Sequence, residues 1–410
     1  MSLNKIKAIL NEKVASLRSS GAAKGNELVI TGIVDAHDGY SERYTLQGYG
    51  ERGFLRLNAN NYLGLSRHPR VMAAEAEAAE RFGAGPGAVR FISGTWQPHV
   101  ELEAELAAFH QREAAMLMSA AYATVVGVIP QFVSEDTLVI SDALNHNSII
   151  NAIRLARPAA KAVYTHLDMG GLEQILTAKN SGIKRVLVVT DGIFSMRGDH
   201  APLHELLDIC RRHEDKYAEG IITIVDDSHG VGAFGTTGRG TEEYTGGVQA
   251  DILIATLGKA LGVNGGYVVA ERTAIDYLRE TAPLYIYSNP ITPAEAAAAR
   301  CALAILNSDE GVTMLRHLHR LATMAREGLG RLGLETIAGD HPIVPILIRD
   351  TAGTTAMVRH LFDNNILATG LNYPVVPKGD EEIRLQISAM HTEKDIEQLL
   401  SVLERFTQHT

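Results

Sequence analysis

Lys259 sits in Thr256-Leu-Gly-Lys-Ala-Leu-Gly262, directly after the apolar run Ile252 to Thr256. Such a run reads as a buried strand. An amine delivered at a strand end between glycines faces the crevice in which α/β sheets bind ligands. The register of a phosphate-binding P-loop is missing, because Ala260 follows the lysine and Leu253 holds the first glycine position. Two readings remain at this point. One is an exposed loop lysine; the other is a Schiff-base lysine, which needs neighbours that keep its amine reactive.

Three other apolar runs end in polar groups of complementary chemistry. Ile221 to Val225 leads into Asp226-Asp-Ser-His229, Val186 to Thr190 into Asp191-Gly-Ile-Phe-Ser195, and Leu138 to Ser141 into Asp142-Ala-Leu-Asn-His146. A carboxylate, imidazoles, a hydroxyl and a lysine at one sheet edge form the inventory that pyridoxal 5′-phosphate requires. That cofactor is an electron sink needing an acid at its ring nitrogen, an amine for its aldehyde and a dipole cradle for its phosphate. Asp227 competes with Asp226 for the acid's place. His146, Asp226 and His229 are also metal-ligand types, but no close His-x-x-x-His or Cys-x-x-Cys pair accompanies them, and a metal leaves Lys259 unexplained. Asn60 and Asn61, in Leu57-Asn-Ala-Asn-Asn-Tyr-Leu-Gly-Leu65, read as turn formers unless the site claims them.

The elements that position these groups alternate. Apolar runs at 115–118, 137–141, 161–165, 185–190, 221–225, 252–256 and 267–270 are separated by helical patterns, notably 122–133, 147–156, 169–179 and 202–213. Strands apolar throughout are covered on both faces, so the expectation is an α/β fold with a seven-stranded, mainly parallel sheet. Before it come a helix at 3–20, ended by Gly21 to Gly25, short strands over 28–57 and a helix at 69–82. Residues 83–95 read as a long functional loop. After it, helices at 293–306, 312–333, 354–364 and 392–407 with strands at 343–348 and 383–388 predict a smaller α+β domain. The expected division is an N-terminal arm over 1–55, a large cofactor-binding domain over 56–292 and a small C-terminal domain over 293–410.

A chain of 410 residues exceeds one ordinary core. Its net charge of −10 disfavours nucleic acid as a partner. No apolar run reaches the roughly 18 residues of a membrane span. The first residues form an amphipathic helix without a signal-peptide core, and Cys210 and Cys301 suggest no disulfide framework. A cytoplasmic protein is the expectation.

With these residues in view, the chain resembles the α-oxoamine synthases, pyridoxal-phosphate enzymes of the aspartate-aminotransferase fold (PLP fold type I). The resemblance rests on Asp226-Asp-Ser-His229, Thr256 to Gly262, Ser141-Asp-Ala-Leu-Asn-His146 and Asp191-Gly-Ile-Phe-Ser-Met196. Asn58 to Leu65, Val89-Arg-Phe-Ile-Ser-Gly-Thr95, Tyr373 to Gly379 and Ile383 to His391 extend it over residues 55–410. It implies condensation of a small amino acid, glycine foremost, with an acyl-CoA, by a homodimer with shared active sites. Lys259 would hold the cofactor and move the Cα proton, Asp226 would pair with the ring nitrogen, and His146 would stack on the ring. His229 and Ser195 would contact the phenolic oxygen. Thr256, the backbone at Ala121 and Tyr122 and, from a neighbouring subunit, Ser288 would hold the phosphate. Asn60 and Arg384, with Ser195 nearby, would bind the amino acid. Val125 and Pro290 depart from the family pattern. An aminotransferase or decarboxylase, or a non-catalytic cofactor-binding protein on the same fold, are the alternatives.

Overall fold

The computed structural model describes residues 3–408 apart from 21, 22, 24, 26, 179, 374 and 375. Two compact units emerge, residues 60–319 and residues 1–59 together with 320–410. Gly21, expected to end the first helix, and Pro374 and Val375 of the Tyr373–Gly379 motif lie outside the described residues.

The larger unit is built on a seven-stranded sheet in the order Ala114–Met118, Gly266–Ala270, Ile252–Thr256, Ile221–Asp226, Arg185–Asp191, Thr137–Asp142, Ala160–Tyr164. Only Gly266–Ala270 runs against its neighbours; every other pairing among the last five strands is parallel. All of the expected strands are present. Their unbroken apolar character follows from helices on both faces. Met116, Met118, Val139, Leu187, Val189, Ile252, Ile254 and Val268, alternate residues along their strands, form one core layer with Val125 and Val128 of helix Ala121–Val128 and Ile149 and Ile153 of helix Asn147–Ala156. Fully burying such a side chain contributes about 1.5–3 kcal/mol, so the strand ends rest on a rigid floor.

Helix Ala121–Val128 is shorter than the 122–133 expected, because Pro130 lacks an amide hydrogen and the chain continues as a tight turn over Ile129–Phe132. Arg90–Gly94 coils into a single wide helical turn inside the expected loop. Helix Pro293–Leu306, expected to open the small domain, packs against Pro69–Phe82 and Gln97–Phe109 and groups with the larger unit. Helix Arg272–Thr281 lies outside the helical patterns expected from the sequence; it buries only Ile275 and Leu278.

In the smaller unit, Ile343–Leu347, Glu382–Gln386 and Thr369–Leu371 form an antiparallel sheet, with Arg384 in register with Pro345 and Thr369. Two-residue strands Leu55–Arg56 and Ile366–Leu367 pair in parallel. Helix Leu3–Ser19 buries none of its residues.

Candidate active site

Parallel strands place their C-terminal ends on one edge, so Asp142, Asp191, Asp226 and the segment after Thr256 emerge together. A cavity of about 280 Å³ opens there, lined by Ala121, Tyr122, His146, Ser195, Asp226, His229, Thr256 and Lys259, with Ser148, Asp191 and Ser228. Eight of the residues singled out in the sequence therefore share one cavity. A larger hollow of about 710 Å³ lies among helices Pro69–Phe82, Gln97–Phe109 and Pro293–Leu306. Among the described residues no strand lines that hollow, and its Arg300 is already paired with Glu101 and Glu105.

Lys259 is carried on a closed loop between two antiparallel strands. Leu257 N–H donates to Gly265 at 2.9 Å, Val263 N–H to Leu257 at 2.9 Å, and Thr256 Oγ1 to Gly265 at 3.1 Å. Leu257, Ala260 and Leu261 are fully buried and hold the backbone, leaving Lys259 half-buried at the cavity.

Asp226 is buried at its strand end and accepts from the amide and hydroxyl of Ser228 at 3.1 and 2.5 Å. His229 shares a 2.8 Å hydrogen bond through Nδ1 with the hydroxyl of Tyr62, which lies 3.5 Å from Asn60 Oδ1. Asn60 thus approaches the site through Tyr62, a residue for which the sequence suggested no role although it adjoins the asparagine pair.

His146 caps helix Asn147–Ala156 by accepting the Ser148 amide at Nδ1, 3.2 Å away, with the Ser148 hydroxyl at 2.7 Å. That acceptor role leaves the ring proton on Nε2. Although the residue is exposed, desolvation of its ring by the surrounding protein lowers its pKa, Asp226 pulls the other way, and the Lys259 charge adds to the lowering. The ring is therefore neutral at pH 7. Its backbone amide donates to Asp191 Oδ2 at 2.7 Å. Burial, followed by the charge of Asp226, holds Asp191 well above the usual carboxylate range, against the His146 amide and Lys259.

Ala121 and Tyr122 open helix Ala121–Val128, whose first amides lack intrahelical partners and favour an anion. Gly266 closes the back of this helix end: a Cβ there would come within 2.5 Å of the Ala121 nitrogen. Val125, on the same helix, is fully buried in the core. Ser288 is half-buried and is not among the residues lining the cavity. Arg384 stands on strand Glu382–Gln386 of the smaller unit.

The family model for aminotransferases of class I and II matches residues 52–403. The chain belongs to that family. The mitochondrial 2-amino-3-ketobutyrate coenzyme A ligase of Homo sapiens is 39% identical over 96% of this chain and 90% of its own length. The 8-amino-7-oxononanoate synthase of Geobacter sulfurreducens is 39% identical over 86% of this chain and 89% of its own. Both are α-oxoamine synthases, and within the class I and II aminotransferase family this chain is one as well. A solved structure of SPT with PLP as its internal aldimine matches with a TM-score of 0.86 at 27% identity, over 99% of this chain and 98% of that one. Serine palmitoyltransferase from Sphingomonas wittichii matches with a TM-score of 0.87 at 26% identity, over 99% and 98% of the two chains. The fold is that of aspartate aminotransferase, and the cofactor of this family member is pyridoxal 5′-phosphate. The cavity fits it: an amine, an acid at a strand end, two imidazoles and a helix N-terminus backed by a residue without a Cβ.

Proposed function

We propose that this α-oxoamine synthase joins glycine to the acyl group of a short acyl-CoA and releases coenzyme A. The observation that carries this reading is the convergence of Lys259, Asp226, His229 and His146 on one cavity. The ligase relatives support glycine and a CoA thioester, since their match extends over 96% of the chain.

When bound, pyridoxal phosphate supplies the electron sink that lets an amino acid lose its Cα proton. In the proposed roles the Lys259 amine anchors the cofactor and takes and returns that proton. Asp226, kept in place by Ser228, holds the proton on the ring nitrogen. Neutral His146 covers the ring face and excludes water. His229, oriented by Tyr62, and Ser195 donate to the phenolic oxygen. Thr256 and the amides at Ala121 and Tyr122 bind the phosphate. Asn60 and Arg384 are proposed partners of the amino-acid carboxylate, Arg384 by the planar fork that suits a carboxylate. The same reading makes the protein a cytoplasmic homodimer in which Ser288 serves the partner's phosphate. The exposed Leu3, Ile6, Leu10, Val14 and Leu17 of the first helix support a partner surface.

Free thiol followed on mixing acetyl-CoA and longer acyl-CoAs with glycine, alanine and serine tests the proposal. Release with glycine and a short acyl-CoA is expected. Release only with serine or alanine and a long chain removes the substrate assignment, and amino-group transfer without thiol release removes the reaction type.

A further inference from the structure

His166 follows strand Ala160–Tyr164 and lies outside every motif that carries the resemblance. Its Nδ1 is 3.0 Å from Asp142 Oδ1 and its Nε2 is 3.2 Å from Asp199 Oδ2. Each carboxylate belongs to a turn that presents a residue of the site. Asp142 Oδ1 also accepts the Leu144 amide at 2.8 Å, shaping the turn that leads to His146. The backbone carbonyl of Asp199 accepts the Phe194 amide at 3.0 Å, closing the turn that carries Ser195. Phe194 packs edge-on against the His166 ring, with centroids 4.4 Å apart.

A neutral imidazole has one N–H, whereas two carboxylates at its two nitrogens call for two. We propose that His166 is a positioning residue of this active site: as an imidazolium it ties the turn presenting His146 to the turn presenting Ser195. The backbone supports this. Leu167, the next residue, adopts a φ of 58°, which leucine rarely takes, and its amide donates to Asp142 Oδ2 at 2.9 Å. Burial disfavours the charge on His166, but hydrogen bonds and the charges of Asp142 and Asp199 prevail, raising its pKa to about 9. Arg197 is the other charge in the cluster, donating to Asp199 Oδ2 at 2.8 Å. Because the pKa is raised, the bridge's contribution to stability is fully present below the unfolded value of about 6.5 and is lost, with the imidazolium itself, as pH rises through about 9.

The test uses the holoenzyme and rests on the proposed function only for the contacts of Ser195 and His146 with the cofactor. In carbon-13 histidine spectra assigned with His166→Gln, the His166 ring should be an imidazolium at pH 7.5 and titrate near pH 9. A neutral ring at pH 7.5 overturns the proposal. His166→Gln should raise the dissociation constant of pyridoxal phosphate at least about threefold, as expected for coupled residues in one network. In a Ser195→Ala background the same change should have a clearly smaller effect, because only the turn presenting His146 is then left for it to position. Additive effects overturn the proposal. If Ser195→Ala alone leaves cofactor affinity unchanged, the role of Ser195 fails, and the ring titration still decides for or against the bridge. Should His166→Gln fold poorly, Asp199→Asn must lower the His166 titration point; an unchanged value counts against the bridge.

Discussion

Asp226 and Asp227 are consecutive, yet their carboxylates end in different surroundings: Asp226 lines the cavity of Lys259, and Asp227 is sealed in the fold, accepting from the Thr241 amide and hydroxyl at 2.7 and 2.6 Å. A Cβ on Gly192, Gly230 or Gly240 would fall 2.0–2.2 Å from the Asp227 oxygens, so these glycines form its walls. Burial pushes the Asp227 pKa up to about 7, the Thr241 bonds offset part of that, and Glu242 and Asp226 add to it. Asp227→Ala strands the Thr241 amide and should lower unfolding free energy by about 1–3 kcal/mol in urea titrations. Asp226→Asn should leave the urea midpoint near the parent's while cutting turnover by about a hundredfold or more. The reverse pattern would transfer the ring-nitrogen role to Asp227.

Tyr62 is fully buried and its hydroxyl meets His229 Nδ1 at 2.8 Å. Tyr62→Phe keeps the ring volume and removes the hydroxyl that meets His229 and Asn60, each hydrogen bond being worth about 0.5–1.5 kcal/mol net. Weakened orientation of His229 should raise the cofactor dissociation constant by about two- to tenfold and shift its absorbance maximum. An unchanged spectrum would make Tyr62 a packing residue alone.

Much of this site was legible because parallel strands carry their function at one end. Ile252–Thr256 and Ile221–Asp226 are largely apolar, as buried parallel strands are, and such strands bring Lys259 and Asp226 out as neighbours. Choosing Asp226 over Asp227 came from resemblance, since both follow the same apolar run and only packing separates them. The His166 bridge left no local signal: its partners lie 24 and 33 residues away and meet it through the order of strands. Ile366–Leu367, the partner of Leu55–Arg56, gives no sequence signal for a simpler reason, as two residues cannot display a period.

Glu103 braces strand Ala114–Met118, which leads into helix Ala121–Val128. Both oxygens receive Arg90 at 3.0 and 3.1 Å, Arg279 adds a contact at 2.8 Å, and the Leu117 amide a fourth at 2.9 Å. Burial alone would raise its pKa, but Arg90 and Arg279 outweigh that and hold it below the usual range. A depressed pKa gives stability above the unfolded value of about 4.3 and loses it as pH falls through the folded value. Glu103→Gln should cost about 3–5 kcal/mol at pH 7 by leaving buried guanidinium charge uncompensated. The gap between variant and parent in urea midpoints should narrow on acidification below about pH 4. A gap that stays constant with pH would mean packing, not charge, is what Glu103 contributes.

Gly266 tests the phosphate cradle without touching a ligand-bearing side chain. It pairs with Met118 on one side and Thr256 on the other, so it stands between the two chain segments proposed to hold the phosphate. A methyl group there would meet the Ala121 nitrogen at 2.5 Å and the Ala120 carbonyl carbon and Ala121 Cα at 2.6 Å. All three are backbone atoms and cannot rotate aside. Gly266→Ala should therefore push the first turn of helix Ala121–Val128 away and misplace the amides that face the anion. Hydrogen bonds to a charged group contribute about 1.5–3 kcal/mol, so pyridoxal phosphate should bind roughly ten- to a hundredfold more weakly. Pyridoxal, which lacks the phosphate, should lose far less affinity, because Lys259 and Asp226 remain where they were. Gly330→Ala is the control, since nothing lies within 4 Å of the added Cβ and the residue is remote in sequence from every proposed ligand of the phosphate. Equal losses for pyridoxal and its phosphate in Gly266→Ala would mean the whole cavity had moved, and the helix N-terminus would lose its claim to the phosphate.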